Sequence, residues 1–374
     1  MRTVLPIVFV YTGNALPSYA KKSLALNLEY NASPLVLLTD AAKPLWLSRE
    51  VHHTDIRDFY SFPDVRAELE SFRYSDTFRN GFWIKTIERF AVLSEWAKFS
   101  LQREFFHSEL DNLNLGLQDV PLENTNLPGL ALPRESALQA VASLVLIGDA
   151  GLLDTVLRFF FSNSGIGNEM EMLAAFLDQH HSSRIRALPT VANMSSGAEI
   201  VWNSFDVADF GGVFDAAAVG RWLYGPDPRN SRGRPTRNLQ QHPRTRGDLK
   251  SLKFGFRQGQ MFVTDDARFE LRLYNIHVHS KIFSRLAHVK RHSALIARAN
   301  AGRSSLIAGA DGGFVASETV RWVLYALKML GRPRMFVAQG SKRTRETLRF
   351  VRLLVRRVVR GFPDEGKRGP DEEK

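Results

Sequence analysis

The chain has 374 residues, of which 44% are hydrophobic and 24% charged, the composition of an ordinary soluble globular protein. It contains no cysteine, which excludes disulfides, thiolate metal sites and cysteine nucleophiles. The formal net charge of +11 is concentrated in residues 284–374, where 20 Lys and Arg face 8 Asp and Glu, and this distribution argues against a nucleic-acid-binding surface on the rest of the chain.

The amino-terminal part has the pattern of a parallel strand–helix–strand unit. Its predicted elements are a strand, a helix and two further strands, over residues 4–11, 20–28, 34–39 and 51–56. Open sheets of this kind bind ligands at the carboxyl ends of their strands. The residues at those ends, Tyr11, Thr12 and Asp40, are therefore predicted to contact a nucleotide.

An amphipathic helix is predicted over residues 80–98, followed by a short strand over 104–106. Lys85 and Arg89 are four residues apart and share one face of this helix. They either contact phosphates or are solvated.

Glu109 and Asp111 follow this short strand with one residue between them. Side chains in extended chain alternate with period two, so both carboxylates can reach one hard cation such as Mg²⁺ or Mn²⁺. The alternative is that the two acids only mark the exit from the strand into a loop.

The middle of the chain is predicted to be a loop after Asn112, up to residue 133, followed by helical stretches over 136–161. A further helix opens at Asn168 with Glu169 and Glu171 in its first turn, an arrangement that the helix dipole favours without any catalytic role.

Asp215 stands at the start of a small-residue helix. There it either caps the helix or contacts an acceptor substrate. Asp227 lies in a predicted turn over residues 225–230, and residues 231–246 are predicted to be a mobile loop that orders over a ligand.

Residues 275–281 alternate between polar and apolar side chains, as in a strand with one polar face. That face would carry Asn275, His277, His279 and Lys281. Imidazole is a common metal ligand and lysine a natural partner of a diphosphate. Two histidines and a lysine on one face favour a binding site over a structural role.

Taken together, these segments resemble the bacterial GT-A-fold glycosyltransferases that use nucleotide sugars. The resemblance covers about residues 4–285. It rests on five segments, Val8-Phe9-Val10-Tyr11, Phe82-Trp83 with Thr86-Ile87-Glu88-Arg89-Phe90, Phe106-His107-Ser108-Glu109-Leu110-Asp111, Phe214-Asp215-Ala216-Ala217-Ala218-Val219-Gly220, and Ile276-His277-Val278-His279-Ser280-Lys281.

The resemblance implies a mainly parallel mixed sheet flanked by helices, with Mn²⁺ or Mg²⁺ as cofactor. It makes Glu109 and Asp111 the acidic motif, either His277 or His279 the third metal ligand, and Lys281 a diphosphate contact. The first acid is more often Asp in the family, so Glu109 either binds the metal or holds the sugar or ribose. The candidate catalytic bases are, in order, Asp215, Asp227 and Glu171.

The implied reaction moves a sugar from a nucleoside-diphosphate sugar, with a UDP-sugar favoured, to a saccharide or lipid-linked acceptor in surface polysaccharide or glycolipid synthesis. The predicted domains are a catalytic domain over 1–285, divided near 115 into a nucleotide-binding and an acceptor half, a helical basic region over 286–362 and a disordered tail over 363–374. The sequence leaves open the sugar, the acceptor, the stereochemical outcome and the oligomeric state.

Arginines in the basic region recur at helical spacing beside an apolar stripe. Such a helix either lies on an anionic membrane surface or packs on the catalytic domain. No signal-peptide pattern and no apolar run near the about 20 residues that span a bilayer is visible. We therefore expect a cytoplasmic protein, peripheral on the inner face of the cell membrane if the helix binds lipid.

Two other readings compete with the glycosyltransferase. A nucleotidyltransferase also uses paired acids and a divalent cation, but it calls for a glycine-rich basic loop after the first strand, which residues 12–15 do not supply. A nucleic-acid-binding protein would use the arginine-rich region, whereas the near-neutral remainder of the chain predicts no nucleic-acid partner.

Overall fold

The computed structural model describes residues 4–61, 82–122, 128–191, 204–224, 249, 252–257, 259–264, 270–279, 281 and 283. The helices found there are α1 (Ala20–Tyr30), α2 (Phe82–Ser100), α3 (Gly151–Ser162), α4 (Glu169–Gln179), α5 (Val207–Phe210) and α6 (Ala218–Tyr224). The strands are β1 (Ile7–Tyr11), β2 (Leu35–Thr39), β3 (Val51–Asp55), β4 (Phe105–Ser108), β5 (Asn112–Asn114), β6 (Leu130–Ser136), β7 (Gln139–Ala140), β8 (Leu144–Ile147), β9 (Ile185–Leu188), β10 (Gly212–Val213), β11 (Lys253–Arg257), β12 (Gln260–Thr264), β13 (Glu270–Leu273) and β14 (Asn275–His277).

The main sheet has the strand order β3-β2-β1-β4-β8-β6-β7, with β9 paired to β6. Strands β3, β2, β1 and β4 are parallel, whereas β8 runs antiparallel to both β4 and β6. Phe9 of β1 lies opposite Ser108 of β4, so the carboxyl ends of these two strands meet at one edge of the sheet. This edge carries the candidate site.

Both faces of the sheet are covered, which explains why its central strands are continuous apolar runs. On one face Val8 and Val10 pack with residues of α2, α3 and α4. On the other face Ile7 and Phe9 pack with residues of α1 and with Phe214. Successive residues of one strand thus enter opposite cores, as the pleat requires.

Two smaller sheets flank the main one. Strands β10, β13, β12 and β11 form a four-stranded sheet, and β5 pairs with β14 in a two-stranded antiparallel ribbon. In that ribbon His277 lies opposite Asn112 and Asn275 lies opposite Asn114. The ribbon therefore joins segments of the chain that are more than 160 residues apart.

A network of buried asparagines ties this ribbon to α1. The Asn27 side-chain oxygen Oδ1 accepts from the Asn114 side chain at 2.8 Å, and the Asn27 side-chain nitrogen Nδ2 donates to the Asn112 backbone carbonyl at 3.1 Å. One turn later, Asn31 donates to the Asn114 carbonyl at 2.8 Å and accepts from the Gly116 N–H at 3.0 Å. A satisfied buried polar network of this kind specifies one arrangement of the strands that it joins.

The predicted fold class, an α/β protein with a mainly parallel mixed sheet flanked by helices, is confirmed. The first five predicted elements form within three residues of their predicted ends, as does the strand that precedes the acidic pair. The division into domains stays a prediction, and its regions 286–362 and 363–374 lie outside the described residues.

Two predictions for the middle of the chain are wrong. Residues 136–161 are not helical throughout, because β7 and β8 precede α3, which begins only at Gly151. Residues 112–133 are not one loop, since they contain β5 and the start of β6. Leu144–Ile147 is a short apolar run that suits a buried helix or a buried strand equally, and its pairing with β4 decides the outcome.

None of the helices in the described parts of the chain is long and apolar enough to cross a bilayer. The predicted basic amphipathic helix falls beyond residue 283 and so outside the described residues.

Candidate functional site

Glu109 and Asp111 lie in the tight turn between β4 and β5. The Glu109 N–H donates to the Ser143 carbonyl at 2.9 Å, and the Asn112 N–H closes the turn by donating to the Glu109 carbonyl at 2.9 Å. Leu110, between the two acids, is buried in the core. The turn therefore aims both carboxylates away from the core.

The ribbon brings His277 to this turn. The Nε2 atom of His277 lies 3.3 Å from Oε2 of Glu109 and 3.2 Å from Oδ2 of Asp111. Glu109, Asp111 and His277 each offer one ligand atom, and these three atoms all lie within 4.8 Å of one another. We call these three residues the carboxylate–histidine cluster.

The cluster fits a divalent cation chemically. Within the described structure neither ring nitrogen of His277 has a hydrogen-bond partner, although the side chain is buried. The two carboxylates approach Nε2 without the geometry of a hydrogen bond. Burial also lowers the pKa of His277, which keeps the imidazole neutral and able to act as a ligand. Two carboxylates and an imidazole are donors that Mn²⁺ and Mg²⁺ accept.

His279 lies beside the cluster and is not one of its three members. Its ring centroid is 4.2 Å from that of His277, and its buried Nε2 has no hydrogen-bond partner in the described residues. The sequence left the two histidines equivalent, and the geometry favours His277. The predicted strand over 275–281 ends at His277, because the chain then turns: the His279 N–H donates to the His277 carbonyl and the Lys281 N–H donates to the Val278 carbonyl, both at 2.9 Å.

Two cations border the cluster. The Lys281 ammonium contacts Oδ2 of Asp111 and lies 5.7 Å from the centre of the Tyr19 ring. The Arg89 guanidinium contacts Oε1 of Glu109. Burial by itself raises the pKa of Glu109, but the positive charges of Arg89 and then Lys281 outweigh this effect, and that pKa comes down to about 2.

Lys85 and Arg89 share a helix face in the sequence but not an environment. Arg89 is buried against Glu109, whereas Lys85 is exposed to solvent one turn earlier. Of the pair, the structure brings Arg89 to the cluster.

The predicted nucleotide contacts lie at the same edge of the sheet. Asp40 follows β2 and accepts a hydrogen bond from the Gly13 N–H at 2.6 Å. Tyr11 ends β1, and Thr12 follows it in a buried position. Because β1 and β4 are parallel neighbours, these residues and the acidic turn both stand at the carboxyl ends of their strands.

Glu169 lies next to the candidate site, although the sequence did not single it out. It is only 3% exposed, and its Oε1 lies 3.7 Å from the second terminal nitrogen of Arg89. Arg89 therefore bridges Glu109 and Glu169. One signal was present: Glu169 lies on the same stripe of α4 as the buried residues Met172 and Leu173.

We expect Glu169→Gln to flatten the pH dependence of stability. Burial raises the pKa of Glu169 from 4.5 to about 8, so the unfolded chain releases a proton as pH rises through this window while the folded chain retains it. The stability that wild type has with Glu169 protonated is therefore fully present below pH 4.5 and is lost as pH approaches 8. The unfolding free energy of the Gln variant minus that of wild type should therefore increase by a few kcal/mol from pH 5 to pH 8. Urea unfolding at both pH values measures the gain.

Glu171→Gln is the matched control, since it makes the same change two residues along α4. It is expected to keep the wild-type pH dependence. If the unfolding free energies of Glu169→Gln and wild type depend on pH in the same way, Glu169 is not held protonated by burial in the folded state.

The three candidate bases have separate surroundings. The Asp215 carboxylate is fully buried and accepts from the N–H groups of Val219, Gly220 and His277. Burial raises its pKa, and these three donors oppose the shift. Glu171 is half-buried in the first turn of α4 and does not belong to the cluster. Asp227 lies outside the described residues.

No protein-family profile and no curated protein sequence matches the chain. Among solved structures, the chain is similar to the PaToxG glycosyltransferase, with 12% identity and a TM-score of 0.32 over 47% of this chain and 69% of that one. It is also similar to the glycosyltransferase GlyE of Streptococcus pneumoniae TIGR4, with 12% identity and a TM-score of 0.33. That match covers 52% of this chain and 47% of GlyE, so it spans about half of the GlyE chain. Similarities at this level do not assign a family.

Proposed function

We propose that the chain is a metal-dependent glycosyltransferase, which moves a sugar from a nucleoside-diphosphate sugar to a saccharide or lipid-linked acceptor. The observation that supports this most is the carboxylate–histidine cluster between two cations, at the carboxyl edge of parallel strands. The resemblance of the sequence to GT-A-fold glycosyltransferases implies a UDP-sugar donor, Mn²⁺ or Mg²⁺ as the cation, and a place in surface polysaccharide or glycolipid synthesis.

The proposed reaction breaks the bond between the anomeric carbon and the diphosphate oxygen, and the bonding electron pair leaves with the nucleoside diphosphate. The acceptor hydroxyl oxygen forms the new bond to the anomeric carbon and gives its proton to a base. A cation held by the cluster would neutralise the charge that develops on the leaving diphosphate.

The residues of the chain divide the remaining tasks. Asp111 and His277 would hold the cation, with Glu109 either a third ligand or a sugar or ribose contact. Lys281, which contacts Asp111, stands where its ammonium can also bind a phosphate oxygen. Arg89 keeps Glu109 charged and in place through their buried contact.

A screen of nucleotide sugars for binding and hydrolysis, with Mn²⁺ and with a chelator, tests the proposal. We expect at least one nucleoside-diphosphate sugar to be hydrolysed slowly in Mn²⁺, and both binding and hydrolysis to fall at least tenfold when the metal is removed, which corresponds to about 1.4 kcal/mol. Donor binding that is equal in Mn²⁺ and in chelator would contradict the metal site. Release of pyrophosphate from a nucleoside triphosphate, without sugar transfer, would indicate a nucleotidyltransferase instead.

A further inference from the structure

We infer that Asp215 is a positioning residue for the metal ligand His277 and not the catalytic base, an inference that rests on the proposed function. The Asp215 side chain is 0% exposed. Its Oδ1 accepts from the Val219 N–H at 2.9 Å, and its Oδ2 accepts from the N–H groups of Gly220 at 2.8 Å and His277 at 3.0 Å. One carboxylate thus joins the first turn of α6 to the backbone of His277.

A second set of contacts fixes Asp215 itself. The Asn275 side chain accepts from the Asp215 N–H at 2.9 Å and donates to the Asn112 side chain at 3.1 Å. Asn112 directly follows Asp111. The chain of contacts from Asp215 through Asn275 to Asn112 therefore reaches both segments that carry the cluster.

Helix α6 also packs directly on His277. A Cβ atom added at Gly220 would lie 1.9 Å from the carbonyl oxygen of His277, so this position holds the helix against the backbone of β14. The adjoining backbone is strained. Ala217 and Lys281 have φ angles of 74° and 56°, in the left-handed region that residues other than glycine disfavour. Strain of this kind persists only where surrounding contacts determine the conformation, and the Asp215 carboxylate binds Val219 and Gly220, two and three residues after Ala217.

These contacts decide between the two roles that the sequence allowed. A base must reach the acceptor hydroxyl, yet each Asp215 oxygen is buried and already accepts backbone hydrogen bonds. The same hydrogen bonds hold the backbone from which the His277 ring reaches 3.2 Å from Asp111. Groups that orient metal ligands in this way typically change metal affinity by about 10–100-fold when they are replaced.

The test is a Mn²⁺ titration of wild type and Asp215→Asn by calorimetry, with donor hydrolysis measured across the same Mn²⁺ range. The Asn side chain keeps the size but directs an NH₂ group at backbone donors. We expect the Mn²⁺ dissociation constant to rise about 10–100-fold, and donor hydrolysis to recover at saturating Mn²⁺. Unchanged Mn²⁺ affinity, with donor hydrolysis lost at every Mn²⁺ concentration, is the result expected of a base and would overturn the positioning role.

Asp206→Asn is the matched control. Asp206 also caps a short helix, by accepting from the Ala208 N–H at 3.2 Å, but it is exposed. This control should bind Mn²⁺ as wild type does. If Asp215→Asn does not fold, Asn275→Ala carries the test, because it loosens Asp215 while leaving its carboxylate in place. The positioning role requires weaker Mn²⁺ binding in that variant as well, and wild-type affinity would overturn it.

The two proposals fail in different ways. A wild-type chain that binds no Mn²⁺ overturns the metal-dependent function, and the positioning role with it. If wild type binds Mn²⁺ and the Asp215→Asn variant binds it with the same affinity, the positioning role alone is overturned.

Discussion

Asp111→Asn is expected to lower the rate of donor hydrolysis by about 10²–10³-fold, because a cation at a leaving group contributes several kcal/mol of transition-state stabilisation. The Asn amide is uncharged, so it binds a divalent cation more weakly than the carboxylate does. The change also removes a charged contact of the Lys281 ammonium, which is mostly buried beside Asp111. Steady-state hydrolysis of the best donor in Mn²⁺ measures the effect, and a Mn²⁺ titration should show weaker binding in parallel.

Asp149→Asn is a suitable control for this substitution. Asp149 carries the same group shortly after β8, but it is exposed and pairs with Arg184 at 2.6 Å. An exposed pair of this kind contributes about 0–1 kcal/mol, and the control should hydrolyse the donor at the wild-type rate. A wild-type rate in Asp111→Asn itself would remove Asp111 from the metal site.

Arg89→Met is expected to destabilise the fold by about 3–5 kcal/mol, because it leaves the buried Glu109 carboxylate without its cation. Arg89 contacts Glu109 and lies 3.7 Å from Glu169, and all three side chains are largely buried. The Met side chain replaces the apolar stem of Arg89 without the charge. Urea unfolding at pH 7 measures the loss.

The double variant Arg89→Met with Glu109→Gln separates charge from packing. Removing the stranded Glu109 carboxylate should recover part of the lost stability, so the two changes should not be additive. Arg184→Met is the control, since its exposed pair with Asp149 predicts a loss of less than about 1 kcal/mol. A loss of the same small size in Arg89→Met would show that the buried bridge contributes little to the fold.

The opening of the fold could be predicted from the sequence because its signals are local. Residues 7–11 and 35–39 are continuous apolar runs, as expected of parallel strands that are covered on both faces. The amphipathic pattern of α2 is long enough to be distinct from a strand. The middle of the chain was not predictable in this way, since β8 is a short apolar run whose identity depends on pairing with β4, some 40 residues away in sequence.

The candidate site shows the same division. Glu109, Asp111 and the pair of His277 and His279 are candidates by residue type and spacing, and the ribbon of β5 and β14 brings His277 to the two acids. Glu169 was passed over because a first-turn acid is usually a solvated dipole partner, and only the packing of α4 against Arg89 buries it. Asp215 had two equally good interpretations until its three backbone donors were visible.

The sequence by itself determined the fold class and the acidic turn, since hydrophobic period and residue chemistry act over a few neighbours. The tertiary structure decided which histidine joins the acids, which acid is buried beside Arg89, and which carboxylate holds the backbone. The physical reason is that the ionisation and role of a charged group depend on burial and on partners within a few ångströms. In this protein those partners come from α2, α4, β14 and the turn after β4, which the pairing of distant strands and the packing of helices bring together.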